Sequence, residues 1–108
     1  MTNFTYSDKS TENYISMSIS EQTCWIDQYY VDPDNGKLFV VLFKEAIKDM
    51  KKKDCSTFTQ YVSESDWNNF LKSNKMWEKI NNFDGIVHIS CSIDDAVKCV
   101  IAGFGLTY

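Results

Sequence analysis

Lys37-Leu38-Phe39-Val40-Val41-Leu42-Phe43, continued through Lys53 and followed by Thr57-Phe58-Thr59-Gln60-Tyr61-Val62, is the stretch whose reading decides the fold. Leu38 to Phe43 is an unbroken apolar run, and its lack of alternation predicts a strand over about 37–43 with both faces covered. Phe43, Ala46, Ile47 and Met50 then recur at helical spacing. Glu45 lies near the start and Lys51, Lys52 and Lys53 near the end, so a helix over about 44–53 is expected, with cations complementing its dipole. Thr57 to Val62 is β-rich, and the unit reads as strand, helix, strand at the centre of the core. The last strand returns either parallel or antiparallel to the first, which makes a mixed sheet the expectation.

Immediately before this unit, Asp32-Pro33-Asp34-Asn35-Gly36 is the clearest turn in the chain. Pro33 presets φ and Asn-Gly tolerates positive φ, so the flanking runs are expected to form an antiparallel hairpin. A calcium loop needs Gly at its sixth position and Glu at its twelfth, whereas counting from Asp32 places Gly36 fifth and Phe43 twelfth. Thr23 to Val31 reads as a strand by its β-branched and aromatic content, with a helix as the rival because Ser18 and Glu21 have capping-box spacing. Ile15, Met17 and Ile19 alternate with serines, predicting a strand over 13–19 with one wet face. Residues 1–12 read as a flexible tail, leaving 13–108 as a single globular domain.

Toward the C-terminus, Ser63-Glu64-Ser65-Asp66 has capping-box spacing ahead of Trp67, Phe70 and Leu71, predicting a helix that ends near Ser73 or continues toward Ile80. Phe83-Asp84-Gly85 is a turn into a strand over 86–91. Ser92 to Asp95 opens a further helix with Ile93, Ala96, Val97, Val100 and Ile101 on one face, closed by Gly103 with Phe104 packing back. The expected fold class is α+β (or α/β): one compact domain, with a mixed or mainly antiparallel sheet of four to six strands and two to three helices packed on it.

Composition limits the function. The 108 residues carry a net charge of -4, and the eleven basic residues are all lysine. Without arginine, bidentate recognition of phosphates and base edges is disfavoured, and an acidic chain lacks the attraction that drives nonspecific nucleic-acid binding. Cys24, Cys55, Cys91 and Cys99 show no C-x-x-C spacing and read as reduced, buried thiols. Neither a signal peptide nor an apolar segment of membrane-spanning length is evident, so an intracellular, cytoplasmic protein is expected. The lysine-only, Asn-rich and Ile-rich composition suggests an AT-rich genome.

Specific chemistry is sparse. His88 is the sole histidine, and strand alternation places it on the face opposite Cys91, against a local Cys-His pair. Asp94 and Asp95 are accounted for by the first turn of a helix. No phosphate-binding glycine loop, nucleophile elbow or metalloprotease motif is present. Catalytic, cofactor and metal residues are therefore not assigned, and no cofactor is expected. The aromatics are the one surplus: Trp25, Tyr29, Tyr30, Trp67 and Trp77 form a possible protein-interaction surface. The expectation is a non-enzymatic protein-interaction domain, a small accessory, assembly or inhibitor-type subunit binding a protein partner or itself. The alternative is a small enzyme or metal-binding domain that uses His88 with cysteine or carboxylate partners.

Overall fold

The computed structural model describes residues 2–8 and 12–103. Its core is a six-stranded mixed sheet in the order β1-β2-β3-β4-β6-β5, formed by β1 (Thr2–Ser7), β2 (Tyr14–Ser20), β3 (Thr23–Tyr30), β4 (Thr57–Ser63), β5 (Glu78–Phe83) and β6 (Ile86–Ser92). All neighbours are antiparallel except β3 and β4, which run parallel and are joined through helix α1 (Gly36–Lys52). Short α2 (Glu64–Asp66) follows β4, and α3 (Ala96–Gly103) follows β6. The α+β expectation of four to six strands with two to three helices agrees with this architecture. No described helix is long and apolar enough to cross a membrane.

The central stretch departs from its sequence reading. Residues 37–43 are the first two turns of α1, not a strand, and the expected hairpin at Asp32–Gly36 is a strand-to-helix loop. The physical reason lies at both ends of the run. Asn35 is an N-cap whose side chain accepts from the Leu38 amide at 3.2 Å, and the spacing of Phe43, Ala46, Ile47 and Met50 extends backward to Val40. Val40, Phe43, Ile47 and Met50 are buried, whereas Val41 is exposed, the signature of a helix packed on one side.

Three further elements differ from expectation. The presumed tail contains strand β1, because Phe4 and Tyr6 alternate with polar residues and pair opposite Met17 and Ile15. The Tyr6 hydroxyl donates to the Asp49 carboxylate on α1, and Lys53 sits 4.5 Å over the Phe4 ring, so β1 is tied to the helix layer. β5 was not anticipated, since every residue of this edge strand is exposed and none needs an alternating apolar pattern. The capped segment at Ser63 continues as a π-helical turn, Trp67–Leu71, in which Lys72 N–H reaches Trp67 O at 2.9 Å; this buries Leu71 and leaves Phe70 exposed. The turn before β6 is as expected, with Asp84 and Gly85 both at positive φ. α3 ends at Gly103, while Phe104, expected to pack back on its last turn, lies outside the described residues.

The core lies between the sheet and helices α1 and α3. Ile15, Met17, Cys24, Phe58, Val87 and Ile89 from the strands meet Phe43, Ala46, Met50, Ala96 and Cys99 from the helices. Phe58 is central, with Phe43 at 5.3 Å and Trp77 at 6.2 Å between ring centroids.

Candidate functional site

The functional geometry begins with one extra residue. In the β2–β3 ladder Ser16 faces Gln28 and Met17 faces Ile26, so Asp27 has no partner and β3 bulges. A bulge bends its strand and increases its twist. It also changes which side chains face the helices: Tyr29 lies opposite buried Ile15 and makes an edge contact with Phe39 of α1 at 5.7 Å.

The bend opens the sheet between its two parallel strands. β3 and β4 pair only at Thr23 with Thr57 and Cys24 with Phe58. That end is closed firmly: the Ser56 and Thr57 amides both donate to Gln22 O, at 2.9 and 3.1 Å, and Cys55 Sγ approaches the same oxygen at 3.4 Å. Beyond Cys24 and Phe58 the strands splay, and Ile26 N–H donates to the Gln60 side-chain Oε1 at 3.2 Å in place of a main-chain carbonyl. The facing edges of β3 and β4 thus leave main-chain groups without ladder partners.

A cleft of about 610 Å³ fills the splay. Ile26 and Tyr29 form one wall, Gln60, Tyr61 and Val62 the other, and Phe39, Phe58 and Val100 close it from the core. The loop from Val31 to Gly36 borders one end, and Ser63 and Asp66 contribute a hydroxyl and a carboxylate. The volume falls within the range of small-molecule sites, and the mainly apolar lining with a few polar groups suits one. No group of three or more His, Cys, Asp or Glu arranged to hold a metal ion occurs among the described residues.

His88 is one ring removed from the cleft. Its imidazole stacks on Tyr61 with centroids 4.4 Å apart, on the outer face of the sheet. Thr59 Oγ1 donates its only proton to Ile89 O at 2.8 Å, so the contact between Thr59 Oγ1 and His88 Nε2 must be donated by the imidazole. In the neutral ring this places the proton on Nε2 and leaves Nδ1 as the acceptor nitrogen. The cysteines are remote from this chemistry. All four are buried free thiols, and burial pushes Cys24, Cys91 and Cys99 up, away from the thiolate form.

The five aromatics singled out from sequence do not form one surface. Tyr29 and Tyr30 are exposed, at 61% and 51%, and Tyr29 lines the cleft. Trp25 and Trp67 are half-buried. Trp77 is corrected to the core: it is 5% exposed and packed against Phe58, with no partner for its Nε1 among the described residues. Sequence reasoning missed Gln60, Tyr61, Ser63 and Asp66. The available signal was the order strand, Asn-Gly loop, helix, strand, which places a crevice between parallel strands beside a helix N-terminus.

No protein-family model matches the sequence, and no curated protein matches it by sequence. Solved structures do match by shape. The ribosomal-protein-S18-alanine N-acetyltransferase of Escherichia coli superposes with a TM-score of 0.59 at 14% identity, covering 84% of this chain and 69% of that one. GCN5 of Tetrahymena gives 0.57 at 11% identity, covering 84% and 67%. The PaiA N-acetyltransferase of Thermoplasma acidophilum, solved in complex with coenzyme A, gives 0.55 at 18% identity, covering 74% and 52%. The chain therefore spans between about half and two thirds of these neighbours' length. Identities this low establish a shared fold, here one resembling the GNAT fold.

These neighbours correct the expectation of a non-enzymatic protein-interaction or accessory domain, and with it the expectation that the chain is not an enzyme. The fold is one used by acetyltransferases. For the alternative built on His88 with cysteine or carboxylate partners, Cys91 lies on the buried face of β6 while His88 lies on the outer one, and no metal-holding group of His, Cys, Asp or Glu includes His88 among the described residues.

Proposed function

We propose that this protein is an acyltransferase that moves an acyl group from a thioester donor to an amine, with the donor held in the splay between β3 and β4. The observation that carries this reading is the opening of a parallel strand pair after two residue pairs, which leaves two unpaired main-chain edges facing a cleft. An extended, amide-rich thioester arm can add to such an edge as a strand does, taking main-chain hydrogen bonds while its apolar parts meet Phe39, Ile26 and Val62. The acetyltransferase neighbours, one of them bound to coenzyme A, support the same class of chemistry.

In the transfer, the amine nitrogen attacks the thioester carbonyl carbon. A C–N bond forms, the C–S bond breaks, the sulfur leaves and takes up a proton, and the nitrogen gives one up. Ile26 N–H, released when an incoming arm displaces Gln60 Oε1, is an amide donor for the oxyanion that develops. Asp66 supplies negative charge at the wall where a cationic amine would arrive. Tyr29 and Tyr61 are the phenols on the cleft lining, and either can protonate the departing sulfur.

Incubation of the protein with acetyl-pantetheine or acetyl-coenzyme A and a panel of primary amines, read by mass spectrometry, tests the reading. Acetylated amine above a heat-denatured control is expected, and Ile26→Trp, which fills the cleft, should abolish it. Absence of product from every donor and amine, together with absence of donor binding, would overturn it.

A further inference from the structure

We infer that the loop from Val31 to Gly36 selects a thioester donor without a nucleotide, and disfavours the diphosphate that coenzyme A would bring to this end of the cleft; this deepens the acyltransferase reading and rests on it. A helix N-terminus beside a ligand cleft is ordinarily a ready site for phosphate, because its first amides are unpaired and its dipole is positive. Here the loop turns most of its own amides inward and caps the third amide of the helix, which leaves only the Gly36 and Lys37 amides of the first turn to meet a phosphate. Asp34 N–H donates to the Asp32 carboxylate at 3.0 Å, Asn35 N–H to Asp32 O at 2.8 Å, and Asp32 N–H to the Asn13 side chain at 2.8 Å. Leu38 N–H, inside the first turn of α1, is held by the Asn35 main-chain and side-chain oxygens at 3.1 and 3.2 Å.

Charge points the same way. Asp32 lines the cleft, and Asp34 is two residues further along the loop. Among loop and first-turn residues only Lys37 is cationic, and the chain has no arginine to clamp a diphosphate. A carboxylate a few ångströms from a phosphate weakens its binding by roughly tenfold or more. The uncharged arm of a thioester meets none of this opposition, since its amides and apolar segments face the strand edges and Phe39.

Calorimetric titration of the full chain with pantetheine, coenzyme A and ADP, at one ionic strength, separates the possibilities. Pantetheine should bind at least as tightly as coenzyme A, and ADP should show no binding at millimolar concentration. The double variant Asp32→Asn, Asp34→Asn keeps an oxygen for the Asp34 amide, and should raise the affinity of coenzyme A relative to pantetheine by tenfold or more. Wild-type binding of coenzyme A tighter than that of pantetheine would overturn the inference while leaving the acyltransferase reading in place. So would a ratio unmoved in the folded double variant. Failure of both pantetheine and coenzyme A to bind would remove the acyltransferase reading and the inference together. The wild-type comparison stands without the variant, should the latter fail to fold.

Discussion

The two ends of the β3–β4 pair are built from one strand couple and behave oppositely. At Thr23 and Cys24 the strands are zipped, with Gln22 O collecting the Ser56 and Thr57 amides and Cys24 and Phe58 fully buried. At Ile26 and beyond they are apart, with one glutamine side chain spanning the gap. The difference comes from Asp27, the single unpaired residue in the β2–β3 ladder. One inserted residue thus converts continuous sheet into a cleft without changing the strand order, and the closed end supplies the rigidity that the open end lacks.

The comparison can be broken most strongly at its junction. Phe58 is fully buried where pairing stops, so Phe58→Ala is expected to cost about 3–5 kcal/mol in chemical denaturation, enough to unfold a marginal domain. Ile26→Trp acts on the open end alone: donor affinity should fall at least tenfold in titration calorimetry, about 1.4 kcal/mol of binding free energy. Smaller is Gln60→Ala, which removes the Gln60 side-chain bridge across the splay. It is expected to cost about 1 kcal/mol of stability while strengthening pantetheine binding, because Ile26 N–H no longer has a partner to exchange.

Tyr6→Phe sharpens the contrast from outside the cleft by loosening the tie between β1 and α1, at about 1 kcal/mol. The Tyr6 hydroxyl, and secondarily Lys53, hold the Asp49 carboxyl below the usual carboxylate range. The folded value is depressed, so this contribution is fully present above the unfolded carboxylate value near 4 and is lost as pH falls through the folded one. The stability difference between wild type and Tyr6→Phe should therefore shrink as pH is lowered below about 4, measured by denaturation at each pH. At the closed end, the four buried thiols should react with a disulfide reagent only as fast as the domain opens, and labelling that matches an exposed thiol would contradict their burial.

Much of the sheet was legible because its apolar residues alternate, although the expected wet face of β2 is buried as well: Ser16 donates to the Asn3 side chain and Ser18 accepts from it, under strand β1. Ile15, Met17 and Ile19 announce β2, Val87, Ile89 and Cys91 announce β6, and the Asp84-Gly85 turn fixes the last hairpin. β1 carried the same signal in Phe4 and Tyr6, outweighed by the polar residues around them. The start of α1 was ambiguous for a physical reason: six consecutive apolar residues satisfy both periods, and only the Asn35 cap and the exposure of Val41 distinguish them. The cleft was less legible still. It depends on a bulge at Asp27 and on strands that stop pairing, and neither leaves a residue pattern; Gln60, Tyr61 and Asp66 are ordinary polar residues until the splay brings them to one space.

The most direct measurement is amide chemical-shift mapping of pantetheine on the isotope-labelled protein. If the open end of β3–β4 is the donor cleft, the amides of Ile26, Tyr29, Gln60 to Ser63 and Gly36 shift together and saturate at one dissociation constant, while those of β1 and β5 stay in place. Saturating shifts confined to the outer β5–β6 edge, or no shifts at millimolar pantetheine, would contradict it.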